Sequence, residues 1–160
     1  MGRIDKVNYY LDIAQTVAER STCLRRHYGA IIVNNDEIIS SGYNGAPRGR
    51  KNCADLNYCT REELKIPSGQ RYELCRSVHA EANAIISASR RDMLGATLYL
   101  ACVDPASGEL IPDSTSCSMC CRTIINAGIE RIVIRDTATD YRIVDVERDW
   151  VDEDDSLPEL

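Results

Sequence analysis

The chain has 160 residues, 44% of them hydrophobic and 28% charged, which is the composition of one globular domain. No apolar run approaches the ~20 residues of a membrane-spanning helix. The 25 acidic residues against 19 basic ones argue against non-specific binding to nucleic acid, since polyanions repel such a chain. From Glu147 onward seven acidic residues face one basic residue, Arg148, so the net charge of −6 belongs to a tail at 147–160 and the body at 1–146 is formally neutral. A neutral body leaves room for an anionic ligand. The start of the chain, Met1-Gly2-Arg3-Ile4-Asp5-Lys6, has neither a signal core nor transit-peptide character, so a cytoplasmic location is expected. In a reducing compartment, eight cysteines against two histidines point to metal or catalytic chemistry before disulfides.

Taken in chain order, Val7, Tyr10, Leu11, Ala14, Val17 and Ala18 recur at helical spacing, which predicts an amphipathic helix over 5–20. Tyr28–Val33 and Glu37–Ser40 are β-branched runs joined by Asn34-Asn35-Asp36, the pattern of a hairpin. The segment from Gly42 to Cys75 is long, polar and without apolar periodicity, so it is expected to be functional or held by something other than a core. Val78–Ser89 reads as a helix, Thr97–Ala101 as a strand, and 103–116 as a turn-rich excursion. Cys117–Ala127 reads as a helix stopped by Gly128. Arg131–Arg135 and Tyr141–Val146 complete the set as strands. Strands alternating with helices indicate an α/β sandwich with a largely buried sheet.

Two of these helices begin on chemistry-bearing residues. His79-Ala80-Glu81 opens one and Cys117-Ser118-Met119-Cys120 the other. A C-x-x-C at a helix start points two sulfurs the same way, and the positive end of the helix dipole favours their thiolates. Adding one imidazole gives three ligands and an open fourth position, as in catalytic zinc sites. Glu81, two residues past the histidine, is placed beside such a metal as a proton carrier. Cys121 adjoins Cys120, and the spacing favours Cys120.

This order, H-x-E followed by C-x-x-C, resembles the zinc-dependent cytidine deaminase superfamily. The resemblance implies a three-layer α/β/α sandwich with a mixed central sheet of about five strands. It makes His79, Cys117 and Cys120 the ligands of a catalytic Zn²⁺, and Glu81 the acid–base. One departure stands out: Ser116 occupies the place of the signature proline. Within the superfamily, Ser21-Thr22-Cys23, Gly42-Tyr43-Asn44-Gly45-Ala46-Pro47, His79-Ala80-Glu81-Ala82-Asn83-Ala84-Ile85 and Ile124-Ile125-Asn126-Ala127-Gly128-Ile129 are similar to deoxycytidylate (dCMP) deaminases, over about Ala14 to Ile134. That branch implies hydrolysis of dCMP to dUMP and ammonia. Asn44 is then expected on the sugar and the Ala80 backbone on the pyrimidine edge. It also implies a homo-oligomer, with a hexamer as one option, and dCTP and dTTP as effectors. No nucleic-acid or membrane partner is expected. For the substrate phosphate, Arg25 and Arg48 are the cations to consider, with Arg50 and Lys51 beside the latter. Other deaminase substrates (a free base, a riboflavin intermediate or tRNA adenosine) and an inactive zinc-stabilised scaffold are the competing readings.

Cys23, Cys53, Cys59 and Cys75 remain upstream of His79. Several dCMP deaminases carry a second, structural zinc in this insertion, and by resemblance these four are its expected ligands at 42–75. His27 is an alternative ligand, and free buried thiols are the competing reading. Cys102 reads as a buried strand residue. The five residues Asp136–Asp140 are too few for a parallel crossover of about a dozen residues, so the last strand is expected to pair antiparallel. The domain reading is a catalytic unit at 1–146 followed by the acidic tail.

Overall fold

The structure is a computed structural model that describes residues 2–153. It contains α1 (Lys6–Ala18), β1 (His27–Asn34), β2 (Glu37–Tyr43), α2 (Cys53–Leu56), α3 (Thr60–Glu63), α4 (Ala80–Ile86), α5 (Arg90–Met93), β3 (Thr97–Val103), α6 (Ser118–Ala127), β4 (Arg131–Arg135) and β5 (Tyr141–Asp145). The five strands form one mixed sheet in the order β2-β1-β3-β4-β5. Only β3 and β4, joined through α6, run parallel. Strand β5 folds back antiparallel on β4 across a turn closed by Asp136 N–H donating to Asp140 O at 2.9 Å, as the short link requires.

Alternation along the three central strands sorts side chains to two faces. Ala30, Ile32, Leu98, Leu100, Ile132 and Ile134 join residues of α4, α5 and α6 in one core. Ile31, Val33, Tyr99, Ala101 and Val133 join Tyr10, Leu11 and Ala14 of α1 in the other. The result is the three-layer α/β/α sandwich with a five-stranded mixed sheet that the sequence led us to expect.

Glycines set how closely the outer layers approach. A Cβ at Gly29 would lie 2.0 Å from Ala14 O on α1, and one at Gly42 would lie 2.4 Å from Ala84 N and 2.5 Å from Ala80 O on α4. Helix α4 therefore rests directly on the backbone of β2, tied by Ser40 Oγ donating to Ala84 O at 2.7 Å and Asn83 Nδ2 donating to Tyr43 O at 2.8 Å. On the opposite face, buried Arg135 of β4 donates to Asp12 at 2.7 Å, Gln15 at 2.9 Å and Asn8 Oδ1 at 3.1 Å, locking α1 to the sheet.

Three segments differ from the sequence expectation. The helix expected over 78–89 is shorter, Ala80–Ile86, and beyond its expected end Ser89 caps a separate turn, α5, by accepting from Asp92 N at 3.3 Å. The insertion at 42–75 contains α2, α3 and a 3-10 turn at Tyr72–Leu74. Residues Asn57, Lys65 and Arg71 at φ 49°, 55° and 54° interrupt these short pieces. Packing also continues beyond Val146: Glu147–Val151 forms a five-residue π-helix and Trp150 packs against the core. Of the tail expected over 147–160, residues 154–160 lie outside the described residues. Among the described residues, no helix is long and apolar enough to cross a membrane.

Candidate metal centre and cavity

His79 is the N-cap of α4 and Cys117 the N-cap of α6, both in extended backbone conformation. The two helices pack side by side on one face of the sheet, which brings their starts together. His79 Nδ1 lies 3.3 Å from Cys117 Sγ and 3.4 Å from Cys120 Sγ, and Cys120 N–H donates to Cys117 Sγ at 3.4 Å. Among the described residues, this is the one His/Cys/Asp/Glu group of three or more whose donor atoms all lie within 4.8 Å of one another. Cys121 turns away and donates to Ser116 O at 3.7 Å, so the C-x-x-C pair is Cys117 and Cys120.

The two thiols and the imidazole of this cluster shift one another's protonation. Hydrogen bonding from Cys120, ahead of that from His79, brings the Cys117 pKa down to about 4. The hydrogen bond to Cys117, and then burial, push Cys120 up. Hydrogen bonds to Cys117 and then Cys75 raise His79 to about 10. Two sulfurs and an imidazole converging on one point, compensated only by shared protons, fit the donor chemistry of Zn²⁺, whose binding displaces such protons. Beside them Glu81 is 3% exposed, and burial pushes its carboxyl pKa up.

The cluster opens on a cavity of about 370 Å³, within the ~300–1,000 Å³ of small-molecule sites. Its floor is His79, Glu81 and Cys117, and Ser114–Ser116 of the 103–116 excursion form part of its wall. The Ser114 and Ser116 hydroxyls are buried there without a hydrogen-bond partner among the described residues.

The other sequence candidates are distributed unevenly. Asn44 is buried at the cavity edge. Its Oδ1 accepts from Ser21 Oγ at 2.5 Å and Tyr28 N at 2.8 Å, and its Nδ2 donates to Arg26 O at 2.9 Å, leaving one amide N–H uncommitted. The Gly45 and Val78 backbones pair at 3.2 and 2.7 Å, stitching the Asn44 loop to the segment before α4, where Ala80 is fully buried. Arg25 borders the cavity and pairs with Glu62 at 3.1 Å. Arg48 is exposed and, with Arg50 and Lys51, is not among the cavity-lining residues. The cations that do line it besides Arg25 are Arg26, Arg61 and Arg76. Arg26 adjoins Arg25 ahead of β1 and Arg76 directly follows the insertion, while Arg61 reaches the cavity through the folding of the insertion itself.

Cys23, Cys53, Cys59 and Cys75 all border the same cavity, yet their sulfurs do not form a group within 4.8 Å. They are near enough to feel one another: burial, then the charges of Cys23, Cys75 and Cys59, raise the Cys53 pKa. His27, the alternative ligand, has its Nε2 on Cys23 O at 2.9 Å. Cys102 is fully buried in β3, with burial raising its pKa to about 11.

A model of the cytidine and deoxycytidylate deaminase zinc-binding region matches residues 4–136. A deoxycytidylate deaminase of Mycobacterium phage D29 is 36% identical over 138 residues, covering 83% of this chain and 96% of that protein. One from Schizosaccharomyces pombe is 32% identical over 126 residues, covering 79% of this chain and 35% of the yeast protein. Among solved structures, the dCMP deaminase of cyanophage S-TIM5 in complex with dCMP and dUMP superposes with a TM-score of 0.56 at 23% identity, covering 83% and 84% of the two chains.

Proposed function

The chain belongs to the cytidine and deoxycytidylate deaminase family, and from that premise we propose that it hydrolyses dCMP to dUMP and ammonia. The observation that carries the reading is a buried Glu81 beside a converged His79/Cys117/Cys120 set at the floor of a nucleotide-sized cavity. When bound there, Zn²⁺ supplies Lewis acidity that lets water attack at neutral pH. Glu81, with its raised pKa, takes one proton from the water and delivers it to the pyrimidine ring nitrogen, then takes the remaining proton of that oxygen as the carbonyl forms and gives it to the amine, which leaves as ammonia. The free Asn44 amide N–H is assigned to the sugar and the Ala80 backbone to the pyrimidine edge. Arg25 is assigned to the phosphate, joined by Arg26 on the same wall. Arg48 takes part only if its loop closes over the ligand.

The same reading includes a structural zinc on Cys23, Cys53, Cys59 and Cys75. Support comes from their common border on the cavity and from a polar insertion that lacks a core of its own. It also includes a cytoplasmic homo-oligomer regulated by dCTP and dTTP, on the resemblance to dCMP deaminases. It further takes residues 1–146 as the catalytic unit, followed by the acidic tail at 147–160, of which Trp150 packs against the core.

The test is turnover of dCMP, deoxycytidine, CMP and dCTP by the purified, zinc-loaded chain, followed by ultraviolet absorbance. We expect dCMP to have the highest kcat/KM. Reaction of another pyrimidine with no loss of dCMP overturns the assignment, and no reaction of any of them returns the inactive-scaffold reading.

A further inference from the structure

Arg61, on α3 within the insertion, is 5% exposed. A buried guanidinium is costly unless its donors and charge are met. Here Nε donates to Gln70 O at 3.1 Å and Nη2 to Pro67 O at 2.9 Å, and Cζ lies 4.1 Å from the centroid of the Tyr72 ring. The Tyr72 hydroxyl in turn accepts from Gly69 N at 3.3 Å. Arg61 thus closes the 67–72 turn on itself and places a cation on the ring face, an attraction strengthened by desolvation.

The ring so held does not stop at the insertion. Its centroid is 5.1 Å from that of the His79 imidazole, with the planes at 85°, a favoured perpendicular contact between π systems. An imidazole on a helix N-cap with no side-chain capping bond is oriented by what its ring touches, here the hydrogen bonds to Cys117 and Cys75 and the Tyr72 ring packed against it. Ligand histidines depend on outer groups to fix ring orientation, and loss of such a group typically costs about 10–100-fold in metal affinity.

We propose that Tyr72, seated by buried Arg61, is a positioning residue that holds the His79 imidazole with Nδ1 toward Cys117 and Cys120, so that the insertion sets how tightly the catalytic metal is kept. This rests on His79 being a metal ligand. A Tyr72 that instead contacts substrate makes a different prediction: KM for dCMP rises while metal retention stays unchanged.

The experiment follows release of zinc from the full, loaded chain to the chromogenic chelator 4-(2-pyridylazo)resorcinol. It is paired with visible spectra of the cobalt-substituted protein. His79→Ala is expected to remove the ion from this site and thereby identify its release phase. Tyr72→Leu is expected to speed that phase by roughly tenfold or more and to alter the cobalt d–d bands. Tyr72→Phe, which keeps the ring, should stay within about twofold of the parent, a rescue that general damage to the loop would not give. Arg61→Met is expected to move release in the same direction as Tyr72→Leu. Parent-like release and spectra in a folded Tyr72→Leu, or a change confined to KM, overturn the proposal while leaving His79 a ligand. A His79→Ala protein that keeps its full metal complement overturns the ligand reading itself. Should Tyr72→Leu fail to fold, Arg61→Met and Tyr72→Phe decide the matter by the same readouts.

Discussion

The two cysteine sets on this cavity are held in opposite ways. Cys117 and Cys120 sit on a helix whose start is fixed by the sheet, and with His79 they converge to within 3.4 Å of the shared imidazole nitrogen. Cys53, Cys59 and Cys75 are spread over an insertion built from four-residue helices and Cys23 lies between α1 and β1, with only Cys53 buried among them. In the first case burial of apolar layers supplies the geometry and the metal adds chemistry. In the second, burial is scarce, and our proposed metal supplies the geometry itself.

The largest effect is expected on the scaffold side of this contrast. Glu81→Gln keeps the side-chain volume and removes the proton carrier, so kcat for dCMP should fall by about 10²–10⁴ with zinc content unchanged. Loss of metal along with activity would mean that Glu81 helps to build the site and would blur the division between geometry and chemistry.

Next in size is a direct comparison of the sets. Cys117→Ser should empty the catalytic site and abolish turnover while leaving the urea midpoint near that of the parent, because helix starts stay in place without the ion. Cys59→Ser should do the reverse, opening the insertion to proteolysis between α2 and Tyr72 while some activity survives. Metal analysis gives the stoichiometry: two zincs per chain are expected in the parent and one in each variant. A parent value of one removes the structural site, and equal protease sensitivity in both variants removes the contrast.

A third prediction concerns how the sheet places the catalytic helix. In Gly42→Ala the new methyl meets Ala84 N and Ala80 O at 2.4 and 2.5 Å, both backbone atoms that cannot step aside as a side chain would. Overpacking of this kind costs about 1–3 kcal/mol, readable in urea denaturation. The shift also passes to His79 and Glu81, and misplacement by about 1 Å can cost 10²-fold in rate. Stability lost with kcat intact would show that α4 can slide without carrying the site along.

The scaffold was legible in the sequence for the reason that it is stable there: continuous apolar runs at 30–33, 98–101 and 132–134 mark strands buried on both faces, and the chemistry lies at helix starts marked by spacing. The insertion had no such code. Nothing local tells that Arg61 will reach Pro67 and Gln70, that Tyr72 will meet His79, or that Arg26 rather than Arg48 will border the cavity. The separate turn α5 was present in Ser89-Arg90-Arg91-Asp92, a cap signature masked by the apolar run before it.

The smallest expected effect separates the two regions by pH. Tyr10 of α1 donates to Asp36 of the β1–β2 turn at 2.5 Å, and this hydrogen bond, ahead of burial, raises the Tyr10 pKa from 10.0 to about 12. A raised phenol pKa gives stability that is complete below pH 10 and lost as the pH climbs through about 12. The partner shift runs the other way: the bond to Tyr10, then Lys6, lowers the Asp36 pKa from 3.8. That contribution is therefore present above pH 3.8 and lost as the pH falls through the lowered value. Tyr10→Phe removes the phenol's contribution and its share of that of Asp36, leaving the Lys6 pair, so its urea midpoint should lie below that of the parent at pH 8 and converge with it as the pH climbs past about 12. Neither Tyr10 nor Asp36 belongs to the insertion, so protease sensitivity of the zinc-loaded insertion should not change with the midpoint. A midpoint difference that persists at high pH would mean the hairpin is tied to α1 by packing alone. A simultaneous rise in cleavage at 53–75 would mean the insertion leans on the α1 face as well as on its metal.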